Sequence, residues 1–123
     1  MKKIIASPFA PKAVGPYSQA VENGALYVSG QLPIDGATGK MAEGIEAQTK
    51  QSLDNLGHIF REAGYGFEDV VKTTVLLKDI ADFAAMNAVY ATYFKSEQPA
   101  RVCYQVAALP MGALVEIDAI CKK

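Results

Sequence analysis

Apolar and polar positions along the chain change period several times, and each change marks an element. The runs Gln19-Ala20-Val21-Glu22 and Ala25-Leu26-Tyr27-Val28-Ser29 form strands on either side of Asn23-Gly24. Asn-Gly in that setting favours a two-residue type I′ hairpin. With Glu22 opposite Ala25, the register sets Ser18 against Ser29 and Tyr17 against Gly30. Residues 33–40, with Asp35-Gly36 and Thr38-Gly39, read as a loop. From Ile45 to Ala63 the apolar residues Ile45, Leu53, Leu56, Phe60 and Ala63 fall at helical spacing, and Gly64 stands where a helix ends. Residues 70–77 are β-branched and apolar, hence a buried strand. Asp79 or Asp82 can cap a second helix that runs through Phe94, with Phe83, Met86, Tyr90, Tyr93 and Phe94 on its inner face. Pro99 then precedes a strand through Arg101, Cys103 and Gln105, and a last strand-like run covers residues 114–121.

The order strands, helix, strand, helix, two strands is that of an α+β layer in which two helices cover one face of a sheet. The strands at 70–77 and 114–121 carry apolar residues on both faces, as a doubly covered sheet requires. Two helices shield only one face, so another copy of the chain is expected on the other. At 123 residues, half hydrophobic and one-fifth charged, the chain reads as one globular domain spanning 1–123.

Charge narrows the function classes. Twelve Lys and Arg stand against 13 Asp and Glu, a net charge of −1, with no dense basic stripe for a phosphate backbone. The brief apolar stretch before Pro8 is shorter than a signal peptide's core, and no run approaches the roughly 20 residues of a membrane span. Cytoplasmic location is the expectation. Cys103 and Cys121 lie in neighbouring strands without metal-binding spacing, and the chain has a single histidine, His58. Buried thiols are expected rather than a zinc site or a disulfide. His58 points off the apolar stripe of its helix and reads as a solvated surface residue.

Arg101 is one of two arginines, and a guanidinium in a half-buried strand is costly unless an anion meets it. Its planar fork suits a carboxylate. Two readings follow: a pocket that binds an acid, with an enzyme carboxylate nearby, or an internal ion pair with Glu116 or Asp118. The hairpin register adds Tyr17, Ser29 and Gly30 as a candidate pocket wall, although turn chemistry accounts for Ser18. Asn87 borders the inner face of the second helix, where its amide would need a partner.

Gly15-Pro16-Tyr17-Ser18-Gln19, Ser29-Gly30-Gln31-Leu32-Pro33, Gln51-Ser52-Leu53-Asp54-Asn55-Leu56, Val71-Lys72-Thr73-Thr74-Val75, Asn87, Pro99-Ala100-Arg101, Leu109-Pro110 and Val115-Glu116-Ile117 follow one another in a specific pattern. In that pattern the chain resembles the Rid/YjgF family over essentially its whole length, close to the enamine/imine deaminases. The resemblance implies a chorismate-mutase-like, YjgF-like mixed sheet with two helices on one face. It also implies a homotrimer with three sites in the clefts between subunits. The implied reaction is hydrolysis of 2-imino acids, formed from 2-aminoacrylate or 2-aminocrotonate, to 2-keto acids and ammonium, with neither metal nor other cofactor. Arg101 would hold the substrate carboxylate. Glu116 would position the attacking water, helped by the backbone carbonyl of Cys103. Tyr17, Ser29, Gly30 and Asn87 would border the cleft. The chain departs from the family at Val102, Tyr104, Ala108 and Met111, the last two where many members carry arginine and lysine. Tyr104 should lie on the strand face opposite Arg101 and Cys103. An alternative is a non-catalytic sensor or regulatory partner protein that binds 2-keto acids. RNA cleavage, also attached to family members, is opposed by the charge balance and by the lack of a histidine pair.

Overall fold

A computed structural model describes residues 1–123. Eight regular elements follow one another: β1 (Lys3–Ile5), β2 (Ala20–Glu22), β3 (Leu26–Gln31), α1 (Ile45–Ala63), β4 (Val70–Leu77), α2 (Phe83–Tyr90), β5 (Ala100–Gln105) and β6 (Val115–Cys121). The strands form one mixed sheet in the order β1-β2-β3-β6-β4-β5. Every pairing is antiparallel except β4 with β5, which are parallel and joined through α2. This is the expected α+β arrangement with both helices on one face. The core lies between them and the sheet, built from residues such as Leu53, Leu56 and Phe60 of α1 and Val75, Leu77, Val115 and Ile117 of the strands.

The first helix has the predicted bounds. Gly64 adopts φ 83 and returns its amide to the last turn, which a residue with a Cβ would do under strain. Polar residues share the buried face of this helix with the apolar stripe: Gln48, Thr49, Ser52 and Asn55 are all buried. Asn55 Nδ2 donates to the carbonyls of Leu32 (3.1 Å) and Ile34 (2.8 Å). Gln48 Nε2 donates to Ala42 O (3.0 Å), and its Oε1 accepts from Leu114 N (2.8 Å). The helix therefore ties down two loops that lack a ladder of their own.

Three expectations need correction. The hairpin slips by one residue: Glu22 pairs with Leu26, not Ala25, and Gln19 O accepts from Ser29 N (2.9 Å). Asn23 N donates to Ala25 O, so Ala25 belongs to a three-residue loop in which Gly24 is the residue at positive φ. The second helix is shorter than predicted. Asp79 caps a single 3₁₀ turn at Ile80–Asp82 by accepting from Ala81 N, and the α-helix ends at Tyr90, with Phe94 still buried in the turns beyond. His58 is half-buried rather than solvated, its ring 5.8 Å from that of Phe9 and its Nδ1 2.8 Å from Arg61 Nη2. No helix is long and apolar enough to cross a membrane.

Candidate active site

Residues that pair across adjacent strands share a sheet face. Thr73 pairs with Arg101 and Val75 with Cys103, so Arg101 and Cys103 point to the face that the helices cover. Leu76 pairs with both Glu116 and Tyr104, and Thr74 with Asp118, so these carboxylates and Tyr104 occupy the other face. Tyr104 thus stands opposite Arg101, as the strand period predicts. Arg101 and Glu116 lie on strands about 10 Å apart, are offset by three residues along the intervening β4, and face opposite ways. Neither of the internal ion pairs considered for Arg101 forms. The chain's one ion pair is Lys50–Asp54 on α1.

Arg101 is instead set by polar and aromatic neighbours. Its Nη1 donates to Asn87 Oδ1 (2.7 Å), and its Cζ stands 4.9 Å from the Tyr90 ring centroid and 5.4 Å from that of Phe83. Stacking on two rings fixes the plane of a guanidinium without neutralising it. Tyr90 is held in turn through its hydroxyl, 2.8 Å from Thr73 Oγ1. The rest of the fork has no partner in the chain and borders a recess of about 500 Å³ that Asn87, Tyr90, Gln98 and Pro99 also line. Cys103, half-buried beside it, has its thiol pushed up by burial, partly offset by Arg101. It therefore stays protonated at neutral pH and is a poor nucleophile.

The second group gathers where β3 meets β6. Between Val28 and Gln31 the strand carries one residue more than its partner, a bulge that brings Gly30 against Glu116. A Cβ on Gly30 would fall on Glu116 Oε2, so only glycine leaves room for that carboxylate. Glu116 is half-buried, and its carboxyl is raised above the ordinary glutamate range by burial first and by the charge of Asp118 second. Ser29 Oγ donates to Ser18 O (2.6 Å), which pins the Tyr17–Ser18 segment to the bulge. Tyr17, half-exposed, and Gly30 line a cleft of about 380 Å³.

One chain therefore brings together Tyr17, Ser29, Gly30 and Glu116, and separately Arg101, Asn87 and Cys103, but does not join the two groups. The sequence reading missed Tyr90, Phe83 and Thr73 as supports of Arg101. Phe83 and Tyr90 lie seven residues apart and were assigned to the core face of their helix, which is how aromatic residues at that spacing ordinarily behave.

The family model described as Endoribonuclease L-PSP matches residues 8–123. The RutC family protein of Pyrococcus horikoshii is 50% identical over 125 residues, covering 100% of this chain and 99% of its own length. The chain belongs to the Rid/YjgF family. The mouse protein named 2-iminobutanoate/2-iminopropanoate deaminase is 50% identical over 122 residues, 98% of this chain and 90% of its own. A crystal structure of a Rid family protein from Yersinia pestis superposes with a TM-score of 0.97 at 45% identity, covering all of both chains. The Rid fold accounts for the strand order found here, including the parallel β4–β5 edge that carries Arg101 away from Glu116.

Proposed function

We propose that this protein hydrolyses 2-imino acids to 2-keto acids and ammonium in a site completed between copies of the chain. The observation that carries the proposal is the state of Arg101: a part-buried cation, oriented by Asn87 and two rings, with no carboxylate partner of its own. A substrate carboxylate supplies the missing charge through two parallel hydrogen bonds and fixes the position of the adjacent imine carbon.

Glu116 then acts as the base. Its pKa, raised by burial, brings it nearer neutrality and makes it a better proton acceptor there than an ordinary glutamate. It takes a proton from water as the water oxygen bonds to the iminium carbon and the C=N electron pair moves to nitrogen. The proton passes on to that nitrogen. Glu116 then takes the proton of the new hydroxyl as its electron pair forms the C=O bond and the C–N bond breaks. The departing NH3 picks that proton up, so that keto acid and ammonium leave. The backbone carbonyl of Cys103 helps hold the water, and Tyr17, Ser29, Gly30 and Asn87 border the reacting group.

Because Arg101 and Glu116 face opposite ways in one chain, the site needs Arg101 of one copy beside Glu116 of the next. The sheet face away from the helices has an apolar set suited to that contact: Tyr27, Val102 and Tyr104 are exposed there, with Leu76 and Ile120 half-exposed. We place three single-domain copies around this face, each contributing half of three equivalent sites, in the cytoplasm where pyridoxal-phosphate dehydratases release such imines. RNA cleavage fits less well, since the lone His58 contacts Arg61 and Phe9 and has no second histidine to pair with.

The test couples a serine or threonine dehydratase to this protein and follows keto-acid release while an amine trap competes for the intermediate. Wild type should accelerate release, and Arg101→Ala should lower kcat/KM at least 100-fold, about 3 kcal/mol, as for removing one member of a buried charged contact. Glu116→Gln should keep its affinity for 2-ketobutyrate and lose turnover. Binding of keto acid without any rate effect in wild type would establish the sensor reading instead. A monomer by light scattering would refute the shared site.

A further inference from the structure

The cleft beside Gly30 contains more than the proposed hydrolysis needs. Val14, Leu32, Ile34 and Met111 give one part of its wall an apolar surface, with Lys12, Gln19, Gln31 and Asp35 in the remainder, around a space of about 380 Å³ that is within the range of small-molecule sites. Its walls are built, not loosely draped. Asn55, fully buried, holds the carbonyls of Leu32 and Ile34, and the side chain of Gln48 holds the amide of Leu114 at the end of the segment carrying Met111.

Met111 is the unusual element. It sits at φ 60, ψ 20 between Pro110 and Gly112, a left-handed conformation that a side chain other than glycine, asparagine or aspartate seldom takes. It is also 70% exposed, and nearby Val14 is 91% exposed. Backbone strain that holds an apolar side chain in solvent is opposed twice over, by conformation and by hydration, and such strain concentrates at binding sites. A ligand group seated in the cleft would cover both side chains.

We infer that this cleft receives the side chain of the imine, with Met111 and Val14 as its apolar lip, so that the enzyme favours 2-imino acids with leucine-sized apolar side chains over the smallest ones. The inference rests on the proposed hydrolysis and names the substrate class of the same site. The orientation follows from the other contacts. Arg101 of the neighbouring copy takes the carboxylate and Glu116 lies behind Gly30, which leaves the side chain to continue along the β3 wall toward Leu32 and Ile34.

Each methylene removed from water raises transition-state binding about fourfold when fully buried. The leucine-derived imine has three more carbons than the alanine-derived one. In an open-mouthed cleft that buries only part of them, a preference of roughly tenfold in kcat/KM is expected.

The experiment generates imines from alanine, 2-aminobutyrate and leucine with an L-amino-acid oxidase and measures kcat/KM for wild type and Met111→Gly. Glycine accepts φ 60 without strain, so this variant should fold at least as well as wild type. The expected result is a leucine-to-alanine ratio near ten in wild type, falling at least threefold in the variant. Dissociation constants for 2-oxopropanoate and 4-methyl-2-oxopentanoate, read by NMR titration, should show the same ordering and the same loss. A wild-type ratio at or below one, or a ratio unchanged by the substitution, overturns the side-chain pocket while leaving hydrolysis intact. Failure to accelerate any of the three imines overturns the proposed function and this inference with it.

Discussion

Replacing Gly30 with alanine isolates the contact on which the proposed water-activating role of Glu116 depends. Gly30 is not at positive φ, so alanine can take its backbone conformation without penalty. The whole effect comes from one methyl group. That methyl would land on Glu116 Oε2 and lie 3.0 Å from Cδ and 3.2 Å from Cγ, so the carboxylate must withdraw by about 1 Å or more to reach ordinary contact. Because the obstacle is the end of a flexible side chain, the stability cost should be modest. About 1 kcal/mol is expected, the low end of overpacking, or roughly 4 °C in Tm for a chain of this size. Catalysis should suffer far more, since displacing a positioned group by 1 Å can cost about 100-fold. Arg101 faces the other side of the sheet, so the loss should appear in kcat with KM changed little. The assay is the coupled imine hydrolysis, with a melting curve on each variant. A double-mutant cycle with Glu116→Ala completes it, because removing the carboxylate should abolish the stability cost of the new methyl. A Gly30→Ala enzyme with kcat within threefold of wild type would refute the reasoning. So would a stability cost that persists after Glu116 is truncated.

Two further predictions concern stability. Glu116 has its folded-state pKa raised, so its ionisation opposes folding. Below the unfolded pKa of about 4.3 the group is protonated in both states, and as pH rises past that value toward the raised folded pKa wild type loses stability. Glu116→Gln should therefore melt above wild type at pH 8 and close to it at pH 4, in parallel thermal scans; a constant difference across that range would count against the raised pKa. Asn55→Ala strands the Leu32 and Ile34 carbonyls in the interior and should cost about 3 kcal/mol in urea unfolding, with a cost below 1 kcal/mol contradicting the anchoring role.

Much of this architecture was legible locally. The first helix could be bounded because its apolar residues keep a 3.6-residue period and a glycine follows where the chain must turn left-handed. β4 and β6 declared themselves through runs dominated by β-branched and apolar residues, broken only by Lys72 in β4 and by Glu116 and Asp118 in β6. The hairpin was found but misregistered, because Asn-Gly is compatible with two- and three-residue loops and only cross-strand packing selects between them. The buried polar stripe of α1 was invisible to a search for apolar periodicity, since Gln48, Ser52 and Asn55 are acceptable in the interior only when loop backbone groups arrive to meet them. The second helix was drawn too long because Tyr93 and Phe94 keep the apolar spacing after the helical hydrogen bonds have ended.

The sequence by itself determined which side chains are the candidates for the proposed chemistry: an arginine that needed an anion, a glutamate among apolar neighbours, and a glycine and a tyrosine in turn-like segments. Tertiary structure alone decided how they are divided. β5 docks on the outer edge of β4 in parallel, two strands from β6, and the two-residue period of each strand then sends Arg101 to one face and Glu116 to the other. Strand order and facing are set by long-range pairing, which no local pattern encodes, and here they rule out an internal ion pair and divide Arg101 and Glu116 between the two halves of the proposed site.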